Sequence, residues 1–153
     1  MEIKIITYNS EYKNDFIRLN KAWLEEYFYV EPHDIETFNN IEKDIIEHEG
    51  EIFFCLVNKE IAGTVAMIKV DNKTYELAKM AVDKKFQGMK LSNLLMKACI
   101  DFAKDKKAEK IFLVSNRKLS PAINLYRKYN FIETPLDPTD YDRADIQMEL
   151  KIV

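Results

Sequence analysis

The sequence predicts an α+β fold, a mixed and mostly antiparallel central sheet with helices on both faces. Three observations predict it. Short polar turns at Asn58-Lys59-Glu60 and Asp71-Asn72-Lys73 separate three β-like runs, about 51–57, 61–70 and 74–82, as in an antiparallel meander. The first run is apolar at every position from Ile52 to Val57, so both of its faces need cover. A strongly helical stretch after Gly88 leads into another β-like run at Ile111 to Val114, which makes a right-handed crossover between parallel strands.

The elements follow in order. Ile3 to Thr7 reads as a strand. Ser10 is the expected N-cap of a helix whose apolar positions Phe16, Leu19, Trp23 and Tyr27 recur every three or four residues. Pro32 ends that pattern, and a shorter helix carries Phe38, Ile41 and Ile45, with Gly50 suited to its C′ position. After the meander, Leu91, Leu94, Leu95, Ala98 and Phe102 form one helical stripe. Lys104 to Lys110 is a charged connection. Ser120-Pro121 starts the next helix, with serine as N-cap and proline first inside; Ala122, Tyr126 and Tyr129 share a face. Asn130 stops it, because asparagine tolerates the left-handed conformation. Phe131 to Thr134 begins a strand and Pro135 to Arg143 is a loop. Ile146, Met148, Leu150 and Ile152 alternate with polar residues as a half-buried last strand. The predicted order is β α α β β β α β α β β, one domain over residues 1–153.

A chain of 153 residues can bury a core without staples, and its net charge of −3 argues against non-specific nucleic-acid binding. The apolar runs are too short to span a bilayer and the N-terminus lacks a signal-peptide core, so the expectation is a cytoplasmic protein with no membrane partner. Cys55 and Cys99 sit among apolar residues and read as buried thiols. His33 and His48 have no partners at metal-ligand spacing, so no metal is expected.

With MAVDKKFQGMKLSNLL, VSN and AINLYRKYNF at this spacing, the chain resembles a GNAT-type N-acetyltransferase over nearly its whole length. The resemblance implies acetyl-CoA as donor, its pyrophosphate held by Gln87, Gly88, Met89, Lys90, Leu91 and Ser92 at a helix start, where unpaired N–H groups favour an anion. It also implies that the backbone of Met80, Ala81 and Val82 pairs with the pantetheine arm, between parallel strands that splay to admit it. Asn116 matches a polar residue that often contacts CoA; it also suits an ordinary loop turn. The family loop reads Arg/Gln-x-x-Gly-x-Gly/Ala. Lys90 and Ser92 replace both small positions, and Lys90 brings bulk where backbone normally approaches phosphate. Asn130 stands where the family commonly has glycine.

An amine attacks a thioester only when neutral. Glu76 matches the family's strand-borne general base, and strict alternation makes it the only charge on a face shared with Ala78, Met80 and Val82. The plainer alternative is an exposed glutamate near a strand end. Tyr126 matches the tyrosine that faces the CoA sulfur; as a phenol it stabilises a leaving thiolate better than it protonates one. Lys79, on the opposite strand face by alternation, reads as a snorkelling lysine. For the acceptor, Trp23, Tyr27 and Tyr29 stand near Glu31 and Asp34, with Tyr141 and Arg143 in the late loop. Aromatics with carboxylates suit a small cationic amine, and Arg143 suits a substrate carboxylate; a core face and a solvated charge run are the plainer reading. The expectation is direct transfer from acetyl-CoA to a primary amine of a small or amino-acid-like molecule. A non-catalytic CoA-binding regulatory module and a protein or peptide acetyltransferase remain alternatives, and a homodimer stays open.

Overall fold

The computed structural model describes residues 1–152. Its elements are β1 (Ile3–Thr7), α1 (Lys13–Tyr27), α2 (Pro32–Asn39), β2 (Glu51–Val57), β3 (Glu60–Asp71), β4 (Thr74–Val82), α3 (Leu91–Asp105), β5 (Lys110–Ser115), α4 (Ser120–Lys128), β6 (Ile132–Thr134) and β7 (Ile146–Lys151). The strands form one sheet in the order β1-β2-β3-β4-β5-β7-β6, antiparallel except between β4 and β5.

The fully apolar β2 explains the layering. Ile52 and Phe54 join Phe16, Leu24, Phe38, Ile41 and Ile45 under α1 and α2. Phe53 and Cys55 face the other way, into a core with Leu91, Leu95, Cys99 and Ile123 from α3 and α4. Both cysteines are buried and free.

Local details differ from the sequence reading where side-chain chemistry competes with periodicity. Asn9, not Ser10, is the first cap: its Oδ1 accepts the Glu11 N–H at 2.9 Å and starts a 3-10 turn that runs into α1. Pro32 opens α2 rather than merely ending α1, and Glu31 and Asp34 exchange capping-box hydrogen bonds there. The second helix breaks after Asn39, and Ile45 lies in a wide turn closed by the Glu47 N–H to the Glu42 carbonyl at 2.7 Å. The left-handed residue after it is Glu49 (φ 65°), not Gly50. Gly50 is required for a different reason, since a Cβ there would lie 2.5 Å from the Met67 carbonyl oxygen. Asn130 does take the left-handed conformation (φ 72°). Its N–H donates to the Arg127 carbonyl and that of Phe131 to Tyr126, each at 3.0 Å, the double closure of a Schellman turn.

The departure that matters most is in β4. Thr64 pairs with Ala81 and Ala66 with Ala78, so Lys79 and Met80 together oppose the single residue Val65. Lys79 is left-handed (φ 59°), and the extra residue makes a β-bulge. Alternation is reset there. Glu76 and Ala78 stay on the α1–α2 face, opposite Ile68 and Ala66, while Met80 and Val82 pack into the core under α3. The face predicted for Glu76, Ala78, Met80 and Val82 therefore does not exist as a unit, and Lys79 is not turned away from Glu76.

Candidate active site

Parallel pairing between β4 and β5 covers only Thr74, Tyr75 and Glu76 against Lys110, Ile111 and Phe112. Beyond Glu76 the strands part, which leaves Leu77 to Val82 without a β5 partner. A cavity of about 950 Å³ opens into this fork. The residues singled out from the sequence as site candidates line it except Met89, which packs against the α3-side core, Tyr29, which is exposed and donates to Asp142 Oδ2 at 3.2 Å, and the carboxylates Glu31 and Asp34, which are buried.

At the wide end of the fork, β4 leads through a 3-10 turn into α3. Among the described residues, no protein acceptor takes the N–H groups of Gly88, Met89, Lys90, Leu91 or Ser92. Five free donors at the positive end of a helix fifteen residues long make an anion site. Gly88 has φ 87°, and a Cβ there would meet nothing within 4 Å, so its glycine is fixed by conformation and not by crowding. Lys90, the N-cap, is left-handed at φ 60° with no side-chain cap. The requirement at this position is thus a left-handed backbone, which a lysine meets with strain, and its side chain is exposed.

Near the narrow end sits Glu76, half-buried. No hydrogen bond reaches its carboxylate among the described residues, and burial raises its pKa against an opposing pull from Lys79 and, more weakly, His33. Beside it the bulge aims Lys79 at α2. Its Nζ donates to Asp34 Oδ1 and, at 3.0 Å, to the Tyr141 hydroxyl, and lies 4.7 Å from the Tyr141 ring centroid. Lys79 is a wall of the site and not a snorkelling surface lysine; its side chain is 5% exposed. Burial works against charge on Asp34 as well, but hydrogen bonds from Arg143 and Lys79 outweigh it and hold the carboxyl down to about 2. Lys79 is pulled down by burial and up by Asp34, which makes Asp34 the firmly ionised member.

Arg143 reaches the cavity, but its guanidinium is engaged. It donates to Asp34 through both Nη atoms at 2.8 Å and to Glu31 at 3.1 Å. Glu31 also accepts the backbone N–H groups of Asp142 and Arg143, so the β6–β7 loop is strapped to α2. The positive charge proposed for a substrate carboxylate is thus already matched by two buried carboxylates, which take three of the five guanidinium N–H donors and leave Nε–H and one Nη2–H without a partner among the described residues. Glu31 and Asp34 are themselves not free to bind an amine, being 2% and 0% exposed and saturated. Asn116 also lines the cavity with its amide committed: Nδ2 donates to the Arg143 carbonyl at 2.8 Å and Oδ1 accepts from the Lys118 N–H at 3.0 Å.

Tyr126 projects from α4, 8% exposed and 5.9 Å from Phe131 between ring centroids. Burial, with a smaller push from Cys99, moves its phenol up to about 12. A phenol so weak as an acid keeps its proton and serves as a hydrogen-bond donor. Trp23 also lines the cavity, clustered with Tyr27 at 5.7 Å and Phe28 at 5.9 Å. Lys79 had no signal that alternation could reveal, because a bulge is set by the pairing of two strands. Lys118, whose Nζ lies 4.2 Å from the Phe28 ring centroid, is a further cavity cation that the sequence reading passed over.

Comparison with known proteins places this geometry. The sequence model of the acetyltransferase (GNAT) family matches residues 16–131. Among solved structures, a GNAT-family acetyltransferase from Staphylococcus aureus Mu50 is 24% identical with a TM-score of 0.89, over 99% of this chain and 100% of that one. An acetyltransferase from Streptococcus agalactiae is 20% identical, TM-score 0.83, over 96% of each chain. The PaiA N-acetyltransferase of Thermoplasma acidophilum, solved in complex with coenzyme A, is 18% identical, TM-score 0.78, over 99% of each. At these identities the structures speak to fold.

Proposed function

This chain belongs to the acetyltransferase (GNAT) family, and we propose that it moves the acetyl group of acetyl-CoA directly to the primary amine of a small molecule, in the cytoplasm, with residues 1–153 acting as one domain. The observation that carries the proposal is the fork. One strand, β4, has an unpartnered carboxylate where parallel pairing stops, an open backbone edge beyond it, and free helix N–H donors past its far end. The coenzyme A bound by the T. acidophilum relative supports the choice of donor.

Acetyl-CoA supplies an activated acyl group as a thioester. Gly88 to Ser92 hold its diphosphate through backbone N–H groups, and the exposed edge from Met80 to Val82 takes the arm. Glu76 accepts a proton from the incoming ammonium, a task suited to a carboxylate whose pKa burial has raised. Tyr126 donates a hydrogen bond to the sulfur as negative charge gathers there. Neither cysteine is a candidate nucleophile, since burial raises both thiols. Holding two reactants side by side contributes most of the rate, with effective molarities worth about 7–11 kcal/mol in favourable cases.

The test is release of free thiol from acetyl-CoA with a panel of primary amines, alongside calorimetry with CoA. Binding together with amine-dependent release is expected. Binding with no release for any amine or lysine peptide leaves a CoA-binding regulatory module; no binding at millimolar CoA overturns the proposal.

A further inference from the structure

The proposed reaction leaves the class of amine open, and the charges around Glu76 narrow it. We infer that the acceptor is a primary amine on an apolar or aromatic stem with no carboxylate on the amine-bearing carbon, and that the matching α-amino acids are rejected. This rests on Glu76 and the fork being the acceptor site.

An α-carboxylate is one carbon away from the amine. Wherever the nitrogen meets Glu76, that carboxylate must be housed within the same few ångströms, and in a desolvated site it needs a cation or several N–H donors. The cations nearby are Lys79 and Arg143, and the charge of each is already matched by a buried carboxylate. Arg143 is forked onto Asp34 at 2.8 Å and reaches Glu31 at 3.1 Å; Lys79 is bonded to Asp34 and Tyr141. Two buried positive charges are matched by two buried negative ones, with Asp34 fully enclosed. Drawing either cation toward a substrate would strip a partner from a carboxylate that has no access to water.

The charge left over is Glu76 itself. Around it stand Lys79 from its own strand, His33 from α2, and Asp140 and Tyr141 from the β6–β7 loop. His33 lies between Glu36 at 3.5 Å and Asp140 at 3.8 Å, so it too already faces carboxylates. An ammonium is complemented here and a second anion is repelled.

Lys118 does not change this. It is exposed, and its Nζ is turned onto Phe28 and the Tyr27 carbonyl. It follows the end of β5 at Ser115, whereas Glu76 pairs with Phe112, about 10 Å back along the strand at 3.3 Å per residue. That is out of reach of an α-carboxylate. Trp23, Tyr27 and Phe28 line the same cavity, which suits an apolar stem.

The experiment uses amine pairs that differ only in the α-carboxylate: tyramine against tyrosine, phenethylamine against phenylalanine, tryptamine against tryptophan. With the full chain and acetyl-CoA, kcat/KM should favour the decarboxylated member by roughly 10²-fold. Calorimetry with CoA present should rank the Kd values the same way. Equal or better use or binding of the amino acids overturns the inference, as does failure of all six compounds to bind. Preferential binding without thiol release leaves the inference standing and overturns the transfer reaction instead. In Asp34→Asn, checked for folding by circular dichroism, Arg143 is partly freed and the preference should shrink at least tenfold. A folded variant with the preference unchanged overturns the role assigned to the Arg143 and Lys79 pairings.

Discussion

Lys90 is the residue where sequence and backbone disagree most openly, and its replacement has a calculable outcome. At φ 60° its Cβ is in the left-handed region, which costs an L-residue roughly 1–2 kcal/mol. Lys90→Gly removes that strain but gives the unfolded chain more freedom, an offset of about 0.5–1 kcal/mol. The side chain is exposed and caps nothing, so no packing or hydrogen bond is lost. The balance is a gain of roughly 0.5–1 kcal/mol, a rise in Tm of about 2 °C for a chain of this size. Lys90→Ala retains the Cβ and the strain, and its stability should stay within about 0.5 kcal/mol of the parent. Urea titrations of the three proteins measure both differences. If alanine stabilises as much as glycine, the effect comes from the lost charge and the backbone explanation is wrong. In calorimetry, Lys90→Gly should bind CoA within a few-fold of the parent and with weaker salt dependence, since a mobile ammonium near a diphosphate is removed while the N–H cradle stays.

Glu76→Gln should lower the acetyl-transfer rate by roughly 10²–10⁴ with CoA affinity nearly unchanged. The acidic limb of the parent's pH–rate profile should lie above the ordinary glutamate range, because burial raises the Glu76 pKa, and it should vanish in the variant. A raised carboxyl contributes stability at low pH that is lost as pH rises through its folded pKa, so at pH 7 the glutamine variant should be no less stable than the parent. Tyr126→Phe should reduce turnover more than CoA affinity, measured by steady-state kinetics and calorimetry; equal losses would mean the hydroxyl only binds donor. Asp34 has the opposite sign. Its carboxyl is held down to about 2 against 3.8, which contributes roughly 2 kcal/mol above pH 4 that is lost as pH falls toward 2, and that part of the acid-unfolding curve should be absent in Asp34→Asn.

Much of the fold was legible because it rests on local signals. The α3 stripe, the polar turns on either side of β3 and the unbroken apolar run of β2 each depend on neighbours within a few residues. The place of the loop at the start of α3 was legible too, since strand, glycine and helix follow one another in sequence; Tyr126 was picked out by family resemblance, and it lines the cavity. What escaped depends on pairing across the chain. Lys79 appeared to face away from Glu76 because alternation assumes an unbroken ladder, and only the match of Ala78 and Ala81 to Ala66 and Thr64 exposes the extra residue. Arg143 appeared free because its partners Glu31 and Asp34 lie more than a hundred residues away in the sequence. Lys90 was read as bulk in the way of phosphate, when the constraint is a dihedral angle that composition does not reveal.

The bulge also explains why the Glu76 carboxylate and the open backbone edge share one strand, with the free N–H groups past its end. A bulge bends its strand and increases local twist, and β4 parts from β5 just before Lys79, directly after the Glu76–Phe112 pair. The distortion that opens the fork thus lies within three residues of the carboxylate near its apex. From Glu76 to Val82 the strand runs about 20 Å, at 3.3 Å per residue, before turning into the helix with free N–H groups. The separation of the Glu76 carboxylate from the free N–H groups is therefore set largely by strand length. The left-handed strain at Lys79 is offset by its contacts with Asp34 and Tyr141, so the same lysine that distorts the strand also fastens it to α2 and the β6–β7 loop. A glycine would make the bulge more easily but could not reach Asp34, which gives a physical reason for a strained lysine at this turn.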